Sequence, residues 1–120
     1  MDLFAREDAL LVAGGGRALM PTGIALGLEE GWCALVLPRS GLAARSGVTV
    51  INAPGLIDAG YRGQVMVPLV NLDPNADHQV RRGDRIAQLI VQRVTSVEWE
   101  VVDALPGTDR GSGGFGHSGR

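Results

Sequence analysis

The sequence contains no lysine; all eleven of its basic side chains are arginines. A Walker-type phosphate loop needs Gly-Lys-Ser/Thr and is excluded, as is Schiff-base chemistry on a lysine amine. Cysteine is almost absent: Cys33 stands alone, so neither an internal disulfide nor a paired-cysteine zinc site can form within the sequence. Cys33 lies in an apolar run and reads as core rather than as a nucleophile. The two histidines, His78 and His117, stand too far apart for a zincin pair. His78, in the 73–79 turn region, reads as a solvated loop residue. Aromatic residues make up only 4%. No apolar run approaches the roughly 20 residues of a membrane helix. No signal-peptide-like apolar segment follows Met1, so the sequence reads as cytoplasmic, without a membrane partner. A net charge of −2 with no basic block argues against nucleic acid as a partner.

What is present is one domain's worth of chain, 120 residues, 45% hydrophobic and 20% charged, with 18 glycines. A chain of this size buries roughly two-thirds of its unfolded surface, which suffices for folding but leaves little area to enclose a ligand. The hydrophobic pattern predicts strands at 24–28, 33–37, 48–52, 64–71, 85–93 and 97–102. Each is bounded by Gly, Pro, Asn or Asp, and Pro68 makes the 64–71 strand an edge or a bulge at that point. A single helical turn is predicted over 40–45. Many short strands at this spacing point to an all-β sandwich or barrel. Residues 107–120 are glycine-rich with Phe115 as their only large apolar side chain, and composition favours a flexible terminus there.

Four segments carry candidate chemistry. In Pro38-Arg39-Ser40-Gly41-Leu42-Ala43, an arginine, a hydroxyl and the amides opening a helical turn suit a phosphate, although a plain strand-to-turn junction has the same residues. In Asn52-Ala53-Pro54-Gly55-Leu56-Ile57-Asp58-Ala59-Gly60-Tyr61-Arg62-Gly63, Asp58 stands at the edge of packed structure and suits a general base. Tyr61 offers a flat face, and Asn52 both a donor and an acceptor. The alternative is a turn-rich β-hairpin with no further role. In Arg82-Gly83-Asp84-Arg85-Ile86-Ala87-Gln88-Leu89, Gln88 is either a specific polar contact or a surface-facing strand position. In the tail from Arg110 to Gly119, successive backbone amides suit phosphates.

Taken together and in this order, these segments resemble the second to fifth motifs of the trimeric all-β dUTP pyrophosphatase (dUTPase) family. Asp2-Leu3 resembles the end of the first motif. The resemblance spans nearly the whole chain. It implies an all-β, distorted jelly-roll-type barrel over residues 1–106, with residues 107–120 as a lid over the active site. It also implies a homotrimer with shared sites, and magnesium as cofactor. The activity implied is hydrolysis of dUTP to dUMP and pyrophosphate, which supplies dUMP for dTTP synthesis and keeps uracil out of DNA.

Carried over residue by residue, the resemblance implies that Asp58 activates the attacking water. Asn52, with Gly55, Leu56 and Ile57 of the same segment, would hold uracil. Tyr61 would pack against deoxyribose and exclude a 2′-hydroxyl, and Phe115 would stack on the base. Arg39, Ser40, Gly41, Gln88, Arg110 and Ser118 would hold phosphates, and Asp2 would hold waters of the magnesium shell. His117 stands where the family more often has Ser or Thr. The family usually carries a further strand before Asp-Leu, so a start upstream of Met1 is expected. The homologous dCTP deaminases need a glutamate in the strand after the 52–63 segment; Val65–Val70 contains none. A non-catalytic nucleotide-binding domain is the remaining alternative, and the presence of Asp58, Tyr61 and the tail argues against it.

Overall fold

The structure, a computed structural model, describes residues 1–114. The strands are β1 (Asp2–Phe4), β2 (Ala9–Leu11), β3 (Arg17–Ala25), β4 (Trp32–Leu37), β5 (Val48–Val50), β6 (Gly55–Ile57), β7 (Gln64–Asn71), β8 (His78–Val80) and β9 (Arg85–Arg93); one helix, α1 (Ser40–Ser46), follows β4. All pairings between them are antiparallel. The strands form three sheets, ordered β1-β9-β4-β6, β2-β8 and β3-β7-β5. The fold is therefore all-β, with its hydrogen bonding divided among three sheets rather than closed into one continuous barrel. Among the described residues no helix is long and apolar enough to cross a membrane.

The core lies between the sheets. β1 contributes Leu3, β2 Leu11, β3 Met20, β4 Val36, β7 Val65, Val67 and Leu69, and β9 Ile86 and Leu89. Cys33 is buried, as its apolar run predicts. Asn71 is the polar exception at 0% exposure. Its Nδ2 donates to the carbonyls of Leu11 and Ala76 at 3.0 and 2.8 Å, and its Oδ1 accepts from the Asp73 N–H at 3.0 Å. Burying an amide is tolerated only with its hydrogen bonds made, and here they tie β2 to the turn after β7. In that turn the Asn75 and Ala76 N–H groups, each 2.9 Å from Asp73 Oδ1, hold the Asp73 carboxyl below its ordinary pKa. Gly47 caps α1 with φ of 62°, and a Cβ there would lie 2.7 Å from the Asp73 backbone nitrogen. Only glycine meets both demands.

The strands at 64–71 and 85–93 match expectation residue for residue. Pro68 lies inside β7, the middle strand of its sheet. Its partner β5 has already ended at Val50, and the Pro68 carbonyl accepts from the Ile51 N–H at 2.9 Å. The missing proline donor therefore falls just past the end of the neighbouring strand. The expected 24–28 strand is displaced: β3 runs Arg17–Ala25. Pro21 and Gly23 read as breakers, yet the strand absorbs them at a register shift, with Gly23 at φ of 74°. The 48–52 strand stops at Val50 and gives way to a turn.

Residues 97–102 form no strand, contrary to expectation; no element follows Arg93 among the described residues. The alternating Val97, Trp99 and Val101 are 69%, 93% and 99% exposed. An apolar strand pattern needs a surface to bury it, and this segment meets none among the described residues. The radius of gyration, 18.9 Å, exceeds the roughly 14 Å of a compact chain of this length, in keeping with a terminal arm that leaves the body.

Candidate active site

The 52–63 segment does not fold back as the turn-rich hairpin of the alternative reading: its strand pairs elsewhere. β5 and β7 belong to one sheet, whereas β6 between them pairs with β4 of another, with Ala34 opposite Ile57 and Val36 opposite Gly55. The chain thus crosses from sheet to sheet and back, and a cavity of about 200 Å³ opens along the crossing. Asn52, Gly55, Leu56, Ile57, Asp58 and Tyr61 all line it. Val36 of β4 and Val65, Met66 and Pro68 of β7 complete the wall. Sequence reasoning missed these four, because they are ordinary strand residues whose facing is set by the packing of two sheets.

Local bonds hold the segment. The Ala53–Pro54 peptide is cis. Asp58 follows the last residue of β6 and is exposed. Its Oδ1 accepts the Gly60 N–H at 2.7 Å. Tyr61 Oη donates to the Gln64 carbonyl at 2.9 Å, and Gln64 Oε1 accepts the Gly23 N–H at 2.7 Å. These bonds tie the Tyr61 hydroxyl to the start of β7 and the Gln64 side chain to β3. Gly63 is required by that ring: a Cβ there would sit 2.5 Å from Tyr61 Oη. Gly55 is buried against Val36, where a Cβ would lie 3.4 Å from the Val36 Cβ. A rigid, half-apolar slot with a carboxylate and an amide at its mouth is suited to a flat polar ring and a proton transfer beside it.

The phosphate candidates lie apart from this cavity. Arg39, Ser40, Gly41 and Gln88 are not part of its lining. Arg39 directly precedes α1, and Ser40 and Gly41 open it. β1 pairs with β9 so that Asp2 lies opposite Gln88. Gln88 Nε2 donates to Asp2 Oδ1 at 3.3 Å, Arg85 Nη1 to Asp2 Oδ2 at 3.5 Å, and Arg39 Nε stands 3.9 Å from Asp2 Oδ1. Arg39 Nη1 also donates to the Arg85 carbonyl at 2.9 Å. Residues far apart in sequence thus meet around one carboxylate. Arg110 is not brought there: its Nε donates to the Gly113 carbonyl at 2.7 Å, inside its own turn. Phe115, His117 and Ser118 lie outside the described residues.

As a metal site, the Asp2 cluster offers a single carboxylate, and no group of three His, Cys, Asp or Glu residues capable of holding an ion occurs among the described residues. Magnesium retains several waters and favours phosphate oxygens, so this donor set fits an ion carried by a nucleotide and held through its waters. It does not fit a cage built by the chain alone.

The molecule is an all-β body with a cavity on a sheet-to-sheet crossing. The chain belongs to the dUTPase family, whose sequence profile matches residues 1–119. It is 54% identical over 118 residues to the deoxyuridine 5′-triphosphate nucleotidohydrolase of Thermobifida fusca, covering 98% of this chain and 65% of that one. It is 52% identical over 119 residues to the protein of the same name from Rhodococcus erythropolis, covering 99% and 72%. The chain thus spans about two-thirds of these relatives' length. Among solved structures, the dUTPase of Staphylococcus bacteriophage 80alpha with dUPNHPP superposes with a TM-score of 0.88 at 25% identity, over 99% of this chain and 85% of that one.

Proposed function

We propose that this chain hydrolyses dUTP to dUMP and pyrophosphate. The observation that carries the reading is the convergence of Asn52, Asp58 and Tyr61 on one rigid cavity in a chain of this family. In this reading Asn52 and the Gly55–Ile57 backbone hold the uracil edge, and Tyr61 packs against deoxyribose. A cytosine would leave buried polar groups unpaired, and a thymine methyl would meet a wall that Val36 and Val65 keep rigid. Asp58 takes a proton from a water as the water oxygen bonds to the α-phosphorus. The bond from that phosphorus to the bridging oxygen breaks, and pyrophosphate leaves. The Gly60 N–H fixes the carboxylate in the orientation this needs.

Arg39, Ser40, Gly41 and Gln88 hold the phosphates, and Asp2 the waters of magnesium; the ion, when bound, neutralises triphosphate charge. Because these groups do not line the nucleoside cavity, a complete site combines the cavity of one copy with the phosphate cluster of another, in a homotrimer. Residues 1–106 form its body. Residues 107–120 close over the nucleotide, with Phe115 on the base and Arg110 and Ser118 on the terminal phosphate. The setting is cytoplasmic, and the product feeds dTTP synthesis while uracil is kept out of DNA. The test is incubation with dUTP, dCTP, dTTP and UTP in the presence of magnesium, measuring pyrophosphate and ammonia. Pyrophosphate from dUTP alone is expected. Ammonia from dCTP, or no product from any nucleotide, would overturn the reading.

A further inference from the structure

The pairing of β3 with β7 is irregular at one place. Pro21 lies opposite Met66 and Ala25 opposite Gln64, so β3 carries two residues more than β7 over this stretch. Gly23, in the middle, has φ of 74°, and a Cβ on it would lie 2.9 Å from Arg6 Cδ. Val65 has no register partner on β3. Its carbonyl accepts the Thr22 hydroxyl instead, at 2.6 Å, and the Gly23 N–H donates to Gln64 Oε1 at 2.7 Å. Two side chains thus close the bulge where ladder bonds are missing. Thr22 is buried, and a buried hydroxyl keeps its place through such a bond.

The bulge reaches the cavity through Tyr61 and Val65. Tyr61 is 42% exposed, so packing alone does not set its ring. Its hydroxyl donates to the Gln64 carbonyl at 2.9 Å. Gln64 is the first residue of β7 and is exposed, a position that frays unless something ties it. The tie is its own amide oxygen on the Gly23 N–H, reinforced one residue later by Thr22 on Val65. Val65 is a wall residue of the cavity, whereas Thr22, Gly23 and Gln64 are not. A ring that must refuse one extra hydroxyl group has to be held in place by bonds behind it, since a small drift opens the space.

We propose that the bulge at 22–24 is a positioning device for sugar selection: Thr22 and Gln64 pin the start of β7, and the pinned Gln64 carbonyl holds the Tyr61 ring where a 2′-hydroxyl would collide with it. This role rests on the proposed hydrolysis of dUTP. Thr22 and Gln64 are positioning residues, and neither touches substrate. Residue 64 must present an oxygen to the Gly23 N–H, which a glutamate can do and an alanine cannot. Residue 22 must present a hydroxyl, which serine shares and valine lacks.

The test has two readouts on the full chain. The first is fluorine NMR without nucleotide, with fluorotyrosine in place of the single tyrosine. The second is steady-state kinetics of the unlabelled protein on dUTP and on UTP. Gln64→Ala should move the fluorine resonance toward that of free fluorotyrosine. It should also narrow the preference for dUTP over UTP about tenfold, with a higher KM for dUTP and a kcat within about twofold of the parent. Gln64→Glu should match the parent in both readouts. Thr22→Val should follow Gln64→Ala, and Thr22→Ser the parent. An unmoved resonance with an unchanged preference in Gln64→Ala would overturn the proposal. So would a Gln64→Glu protein that behaves as Gln64→Ala does, or an equal loss of kcat/KM on both nucleotides, the mark of a general loss of structure. If the parent hydrolyses neither nucleotide, the dUTP reading fails instead, and the resonances of Gln64→Ala and Gln64→Glu still decide whether the bulge holds Tyr61.

Discussion

The two halves of the candidate site are built in different ways. The nucleoside cavity takes six of its lining residues from the continuous 52–61 stretch, whose shape is maintained by bonds between near neighbours such as Gly60 to Asp58 and Tyr61 to Gln64. The phosphate cluster takes Asp2 from β1, Arg39 from the residue before α1 and Arg85 and Gln88 from β9, and exists only because β1 and β9 pair. The first half is a local device and the second a tertiary one. Local bonds survive small changes elsewhere, whereas the cluster depends on the sheet that assembles it.

The strongest way to break the local half is Asp58→Asn. It preserves shape and removes the proton acceptor, so turnover should fall by about 10² to 10⁴ while nucleotide affinity is retained, as stopped-flow and equilibrium binding would show. Survival of turnover within about tenfold would remove Asp58 from the base role. The tail, which belongs to neither half within one copy, comes next. Deleting residues 110–120 should lower turnover by about 10², the scale of losing a positioning element, with an unchanged oligomeric mass by light scattering. Equal rates with and without the tail would refute its closure over substrate.

A smaller effect sharpens the local half. Gly63→Ala forces Tyr61 away from its place, so KM for dUTP should rise about tenfold and the preference for dUTP over UTP should narrow. An unaltered ratio of the two substrates would show that Tyr61 does not police the sugar. The smallest effect concerns stability. The Asn75 and Ala76 N–H groups depress the Asp73 pKa, so the folded carboxyl holds its proton less tightly than the unfolded one. That contribution is present above the ordinary aspartate pKa and fades as pH falls through the lowered folded value. The urea midpoints of the parent and Asp73→Ala should therefore differ at neutral pH and converge in acid; a constant gap would assign the difference to something other than ionisation.

Legibility followed the same division. β7 and β9 were readable because each is a run of eight or nine mostly apolar residues bounded by turn residues. β1, β2, β6 and β8 are three residues each, too short to display a period; β1 and β6 form on the edges of β9 and β4, and β2 and β8 form by pairing with each other. The 97–102 segment has the alternation of a strand and pairs with no other strand among the described residues, so its propensity goes unrealised. Asn52, Asp58 and Tyr61 were recognisable together through their order and spacing. Val36, Val65, Met66 and Pro68 were not, since nothing in a strand's own sequence states which cavity it will wall.

By itself the sequence determined the all-β class, the two long strands, and the exclusion of lysine, thiol-pair and zincin chemistry. These follow from residue type and short-range spacing, whereas the resemblance of the 52–63 segment to a family motif marked it as a candidate nucleoside segment. Tertiary structure alone decided that the 52–63 segment crosses between sheets instead of folding back as a hairpin. It also decided that Asp2 meets Arg39, Arg85 and Gln88, and that His78 opens a strand opposite Leu11 instead of lying in a loop. The physical reason is that register between strands distant in sequence is set by the packing of both sheet faces at once, a condition no single segment carries.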